Sequence, residues 1–264
     1  NRKFGHIKAY EAMHRNLRIQ LFPDSGKLLI TNSIHKYALG NNYTDFSHSQ
    51  LTDAFACLSD ELHTDVTSGV ISNMEYGIVI STGSDLQPHK SLLTFKSKPY
   101  QPMIYKGQHY GSNCVFTDYN IKGYNKTLEV QLHDKQQIEA GLFRWEVVAK
   151  KKRYLHSKRP QIPIFTVSDL LQPDKLQYLA HDLVTKYKDS TKKQLINFDS
   201  LDINELTAIT RMEHTEVREV IRRKHSETFR KARRKYEAIQ KIHTLQGSQV
   251  ERLLIEKCTQ LINS

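Results

Sequence analysis

Every strand-like stretch of this 264-residue chain lies before Pro160 and Pro163, and from Ser168 to the end the apolar residues recur at helical spacing. Strands first and helices last predict an α+β fold with a central antiparallel sheet and a helical appendage. Two parts are expected, residues 1–160 and residues 161–264. In the first part, Leu17, Ile19 and Leu21 alternate with polar residues, and the turn residues 23–26 lead into a second alternating run at 27–31, which reads as a hairpin. Residues 35–43 end in glycine and asparagines and read as a loop. Ser47 or Ser49 is placed to cap a helix over 50–62, where Leu51, Ala54, Phe55, Leu58 and Leu62 share one face. Strands are expected at 70–80, 115–120, 128–132 and 143–149, although 128–132 could begin as a helix. A long crossing loop with one short strand at 92–95 fills 83–113. In the second part, helices are expected over 170–186, 203–210, 215–242 and 248–262.

The formal charge of +11 favours a partner with repeated negative charge, nucleic acid first. A merely basic surface is the plain alternative. The three cysteines, Cys57, Cys114 and Cys258, are far apart and odd in number, so they suggest neither a disulfide framework nor a zinc ribbon and fit a reducing cytoplasm. With no apolar run near the ~18 residues of a membrane span and no signal-like segment after Asn1, no membrane partner is expected.

Residues 114–146 concentrate the groups that phosphodiester cleavage needs. Tyr124 stands between Lys122 and Lys126, and on one strand all three would share a face. A phenol is a weak nucleophile unless cations or a metal favour its phenolate; a packed tyrosine between solvated lysines is the simpler reading of the same spacing. Glu75, Glu129 and Glu146 each interrupt an apolar or aromatic stretch. If they converge, they form an oxygen-rich site suited to Mg²⁺ or Mn²⁺; otherwise they line a solvated sheet face. His6, His14 and His35 are the histidines placed to add a ligand, but no HxH or HExxH pattern occurs, and there is neither a GxGxxG nor a GxxxxGK[ST] motif. Farther on, residues 206–223 read as helix, short turn at 211–214 and second helix. Arg218, Arg222, Arg223, Arg230, Arg233 and Arg234 are candidate contacts to DNA phosphates there.

The pattern Tyr124-x-Lys126-x-x-Glu129 followed by the triplet Arg144-Trp145-Glu146 resembles the replication initiators of filamentous phages, the gene II and gene X protein family. The segment NSIHKYALGNNYTDFS at 32–47 and the strand holding Glu75 are similar to stretches of that family, and the likeness covers most of residues 5–160. It implies an HUH-like rolling-circle endonuclease that nicks one strand of origin DNA, keeps a 5′-phosphotyrosine link, leaves a 3′-OH primer and later rejoins the ends. Tyr124 becomes the nucleophile and Lys126 its stabiliser. Glu75, Glu129 and Glu146 become candidate ligands for Mg²⁺ or Mn²⁺, and Arg144 a contact to the phosphate or to a metal ligand; Lys122 is a further candidate DNA contact. Double- and single-stranded origin DNA would be the partners, with a host helicase, in the cytoplasm of a bacterial host. The His-hydrophobic-His metal motif of many such initiators is absent, and Tyr119, with Lys122 three residues on, is a rival nucleophile. A conjugative relaxase or transposase using the same chemistry, or a non-catalytic DNA-binding protein of the same fold, stands as the alternative.

Overall fold

The structure is a computed structural model that describes residues 9–83, 87–156, 163–192, 195–196, 201–245 and 247–264. It is α+β, with antiparallel sheets throughout. The chain opens with a meander of β1 (Tyr10–His14), β2 (Leu17–Phe22) and β3 (Lys27–Thr31). The expected hairpin is its second half: the turn at Pro23–Ser25 closes on Gly26, whose φ of 60° is the left-handed conformation glycine adopts without strain. Next come α1 (Ile34–Leu39) and α2 (His48–Leu62). Ser47 caps α2 as expected, accepting from the Gln50 amide while the Gln50 side chain accepts from the Ser47 amide. Leu17, Tyr37, Ala54, Leu58 and Val66 form a small core between meander and helices.

The main sheet has five strands in the order β4 (Met74–Ser81), β10 (Leu142–Ala149), β9 (Tyr119–Asn125), β8 (Gln108–Val115), β7 (Gln101–Tyr105). Between β4 and β7 lie β5 (Leu92–Phe95) and β6 (Lys98–Pro99), and α3 (Lys126–His133) joins β9 to β10. The long loop expected at 83–113 is therefore mostly sheet. Its turn signal was Lys106-Gly107, both in left-handed conformation between β7 and β8, as a two-residue hairpin turn requires. Of the two readings left open at 128–132, extended segment or helical start, the helix holds, as α3: Asn125 accepts from the Leu128 amide through its side chain and starts the helix. Lys126 therefore leaves the strand and does not share a strand face with Lys122 and Tyr124.

Downstream run α4 (Lys152–His156), α5 (Val167–Leu170), α6 (Pro173–Asp189), β11 (Ser190–Lys192), β12 (Leu195–Ile196), α7 (Ile203–Glu213), α8 (Thr215–Lys224), α9 (Ser226–His243), β13 (Thr244–Leu245) and α10 (Gly247–Asn263). One sheet face is apolar. Ile78, Ile80, Ile121, Phe143, Trp145 and Val147 pack there under Leu183 and Tyr187 of α6 and Val250, Leu254 and Cys258 of α10. This core draws on both sides of residue 160, which itself lies outside the described residues. The boundary expected there does not separate two cores. The helix expected over 215–242 is broken at His225 into α8 and α9, which pack with α7 around Ile209 and Ile239. No helix among the described residues is long and apolar enough to cross a membrane.

Candidate functional site on the polar sheet face

Residues along a strand alternate faces, so the register of β10 decides what the second face of the sheet presents. Phe143, Trp145 and Val147 point into the core, which turns Arg144, Glu146 and Val148 to the other side. Glu146 stands opposite Gly77 on β4 and Lys122 on β9, and Arg144 stands opposite Tyr124. Glycine at 77 is what the close approach needs, because a Cβ there would lie 2.4 Å from the Glu146 Cβ. Gly111 plays the same part opposite Tyr124, where a Cβ would be 2.5 Å from the Tyr124 Cβ.

Glu146 is the hub. Its side chain is 1% exposed. One carboxylate oxygen accepts from Lys122 Nζ at 2.9 Å, and the other from Arg144 Nε at 2.6 Å and the Tyr124 hydroxyl at 3.1 Å. Burial acts to raise its carboxyl, but the Arg144 guanidinium and the Lys122 ammonium outweigh it and hold the group at about 2. Lys122 also faces Glu75 at 3.6 Å. Burial and the neighbouring Glu146 carboxylate push the Glu75 carboxyl up to about 7, against the pull of Lys122 and Arg144. Burial, followed by the Glu146 charge, drives the Tyr124 phenol well above its usual range, so it stays protonated as donor to Glu146.

The Glu75 shift has a testable sign. An ordinary glutamate loses its proton near 4.5 in the unfolded chain, whereas the folded protein keeps it to about 7. Between those values the native state binds more protons, so its stability falls as pH rises. Glu75→Gln should therefore raise the melting temperature relative to wild type more at pH 8 than at pH 5. An equal difference at both pH values would contradict the assignment.

The loop at 40–46 covers part of this face. Gly40 ends α1 at φ 74°, and Asn41 accepts from the Tyr43 and Thr44 amides, which aims the Asn42 carbonyl at Arg144 Nη1, 2.6 Å away. His35 stacks on Phe46 with ring centroids 4.5 Å apart, and its Nε2 is buried without a hydrogen-bond partner among the described residues. Burial, aided by the positive field of Arg144 and Lys126, lowers its pKa to about 4.

The structure thus joins Glu75, Lys122, Tyr124, Arg144 and Glu146 in one network, and it separates Lys126 and Glu129 from them. Lys126 is 1% exposed and pairs with Glu129 at 2.5 Å on the first turn of α3, with its ammonium 6.0 Å from the centroid of the Tyr124 ring. Of the three glutamates expected to hold Mg²⁺ or Mn²⁺, Glu75 and Glu146 share Lys122, whereas Glu129 pairs with Lys126. Among the described residues no group of three or more histidine, cysteine, aspartate or glutamate side chains is placed to bind a metal. Physically, Glu129 is taken up by Lys126, and both Glu146 oxygens are taken up by cations and a phenol. Of the histidines considered as ligands, His14 bonds Glu61 at 2.6 Å in the meander region, and His6 lies outside the described residues.

Tyr119 is on the opposite face of β9, stacked on Phe116 at 4.9 Å and tilted against Tyr154 at 4.7 Å. The arginines of the tail are distant in sequence and form a separate surface. Arg218, Arg222 and Arg223 lie on α8, and Arg230, Arg233 and Arg234 on α9; all but the half-buried Arg218 are exposed. Arg222 and Arg233 make ion pairs with Glu219 and Glu237. The turn expected at 211–214 shrinks to His214 alone, which ends α7 and caps α8. Sequence reasoning did not single out Asn42, whose carbonyl meets Arg144. The Gly40-Asn41-Asn42 loop signal pointed to a turn but not to what its carbonyl would reach. No protein-family profile matches the chain, and no curated protein matches it.

Proposed function

We propose that the protein is a rolling-circle replication initiator that nicks one DNA strand by tyrosine attack on the polar face of its main sheet. Residues 1–160 are read as an HUH-like nicking unit and the helices beyond as a DNA-holding part in a bacterial cytoplasm, with a host helicase opening the duplex. The observation that carries the reading is convergence. Three stretches that resemble the filamentous phage initiators, holding Asn42, Glu75 and Tyr124 with Glu146, meet at one network although they are far apart in sequence. Arg144 and Lys122 supply positive charge for a phosphate, and the exposed arginines of α8 and α9 would hold the duplex by its backbone.

Mg²⁺ or Mn²⁺ remains part of the proposal as a requirement to be measured. The described carboxylates do not prebuild a site for it, so no step is routed through it.

The test is nicking of supercoiled plasmid that carries the DNA flanking the protein's own gene, with Mg²⁺, with Mn²⁺ and with chelator. The reading expects open-circular product with protein bound to a 5′ end, and its loss with chelator. Tight binding without any nick would support the second reading, a non-catalytic DNA-binding protein. The saturation of Glu146 and the covered Tyr124 hydroxyl favour that alternative.

A further inference from the structure

This inference rests on the nicking reading and concerns which phenol attacks. In-line attack requires the phenolic oxygen to approach phosphorus to roughly 3–3.5 Å, with the leaving oxygen opposite, so the hydroxyl needs open space before it. Tyr124 has none. The residue is 6% exposed, and its hydroxyl ends in a buried hydrogen bond to Glu146. Tyr119 lies on the other face, between Phe116 and Tyr154.

Tyr110 is differently placed. Met103 of β7 faces Gly111 and the next residue, Ile104, faces His109, so Tyr110 is an extra residue in β8, a β-bulge. Bulges turn a side chain out of strict alternation and recur beside active sites. Here the bulge brings the Tyr110 ring edge-on to Tyr124, with centroids 6.4 Å apart, and to His133 at 5.9 Å. Tyr110 is half-buried, and its hydroxyl has no hydrogen-bond partner among the described residues. Burial and the Glu129 carboxylate raise its phenol above the ordinary value, against the pull of Lys122. Its ring thus stands beside Tyr124, the phenol that donates to Glu146.

We infer that Tyr110 is the attacking tyrosine and that Tyr124 is the buried donor that holds Glu146 beneath it. The Tyr110 oxygen forms the new bond to phosphorus while the bond from phosphorus to the 3′ oxygen breaks. The proton lost by the phenol is balanced, through solvent, by the one the departing 3′ oxygen takes up to become the 3′-OH. Lys122, 24% exposed at its side chain, is a cation whose charge reaches Tyr110 and could meet the phosphate. The neighbouring rings of Tyr105 and His133, 4.4 Å apart, offer faces for an unpaired base.

The experiment compares wild type, Tyr110→Phe, Tyr124→Phe and Tyr119→Phe on the flanking-DNA plasmid, with near-ultraviolet circular dichroism to establish that each variant is folded. The adduct is digested, and the DNA-bearing tyrosine is located by mass spectrometry. The expected result is DNA on Tyr110 in wild type, loss of adduct to background in folded Tyr110→Phe, and residual labelling of Tyr110 in Tyr124→Phe. DNA on Tyr124 or Tyr119, or an undiminished adduct in Tyr110→Phe, overturns the inference and leaves nicking intact. No adduct from any version, wild type included, removes the nicking reading and this inference with it.

Discussion

Glu146→Ala should destabilise the protein by about 3–5 kcal/mol, the usual cost of removing one partner from a buried ion pair. The carboxylate is fully buried and receives three donors, Lys122, Arg144 and Tyr124. Among the described residues, its loss leaves the guanidinium with the Asn42 carbonyl and the ammonium with the more distant Glu75. Glu146→Gln keeps the shape and two lone pairs but turns an NH₂ toward a donor, so a smaller loss is expected, about 1–3 kcal/mol. Replacing the whole ionic group at once, with Glu146→Met, Arg144→Leu and Lys122→Met, should restore much of what the alanine removes, because the group's attraction largely offsets the cost of its burial. Urea unfolding of the three proteins decides the matter. If the triple variant is the least stable of them, the network contributes more than its own desolvation cost, and the hub account is wrong.

Trp145→Ala should cost a similar amount, about 3–5 kcal/mol, for a different reason. Trp145 is the largest fully buried side chain, edge-on to Tyr187 with centroids 5.2 Å apart, and its indole N–H donates to the Leu183 carbonyl at 3.0 Å. It is what fastens α6 to the sheet. Gly123 opposite makes room for it, since a Cβ there would sit 3.0 Å from the indole ring and 3.0 Å from Leu92. The loss should therefore appear both in global stability and as faster amide exchange along α6. A variant that unfolds at wild-type denaturant concentration would show that α6 is held by other contacts.

Much of the fold was legible because its signals are local. Gly26 after Pro23-Asp24-Ser25, the Ser47 cap and the helical spacing of Ala54 and Leu58 each act within a few residues, and each structural element appears where expected. The β7–β8 hairpin was not legible, since a strand on a polar sheet face lacks the apolar alternation that marks strands. Residues 108–113, QHYGSN, read as loop for that reason, and only Val115 at the end of β8 fell in an expected strand. At α3 the local signal was present but was outweighed. Leu128, Val130 and Leu132 alternate like a strand, while Asn125 caps a helix that buries Val130.

The candidate site shows the same division between local and long-range information. Tyr124, Lys122, Arg144, Glu146 and Glu75 were all nameable as carriers of chemistry. Their arrangement depends on register, which no spacing within one strand reveals. Register pairs Glu146 with Lys122 and Gly77, hides the Tyr124 hydroxyl, and sends Glu129 to Lys126. Tyr110 reaches the site through a bulge that the sequence does not mark.

The central claim is that a tyrosine on the polar sheet face becomes joined to DNA, and the intact mass of the denatured protein tests it most directly. After incubation with Mg²⁺ and a single-stranded oligonucleotide spanning the mapped nick, the account predicts a species heavier by the fragment downstream of the nick, with its 5′-phosphate now on the protein. Only unmodified protein and intact oligonucleotide, under conditions where binding is saturated, would contradict it.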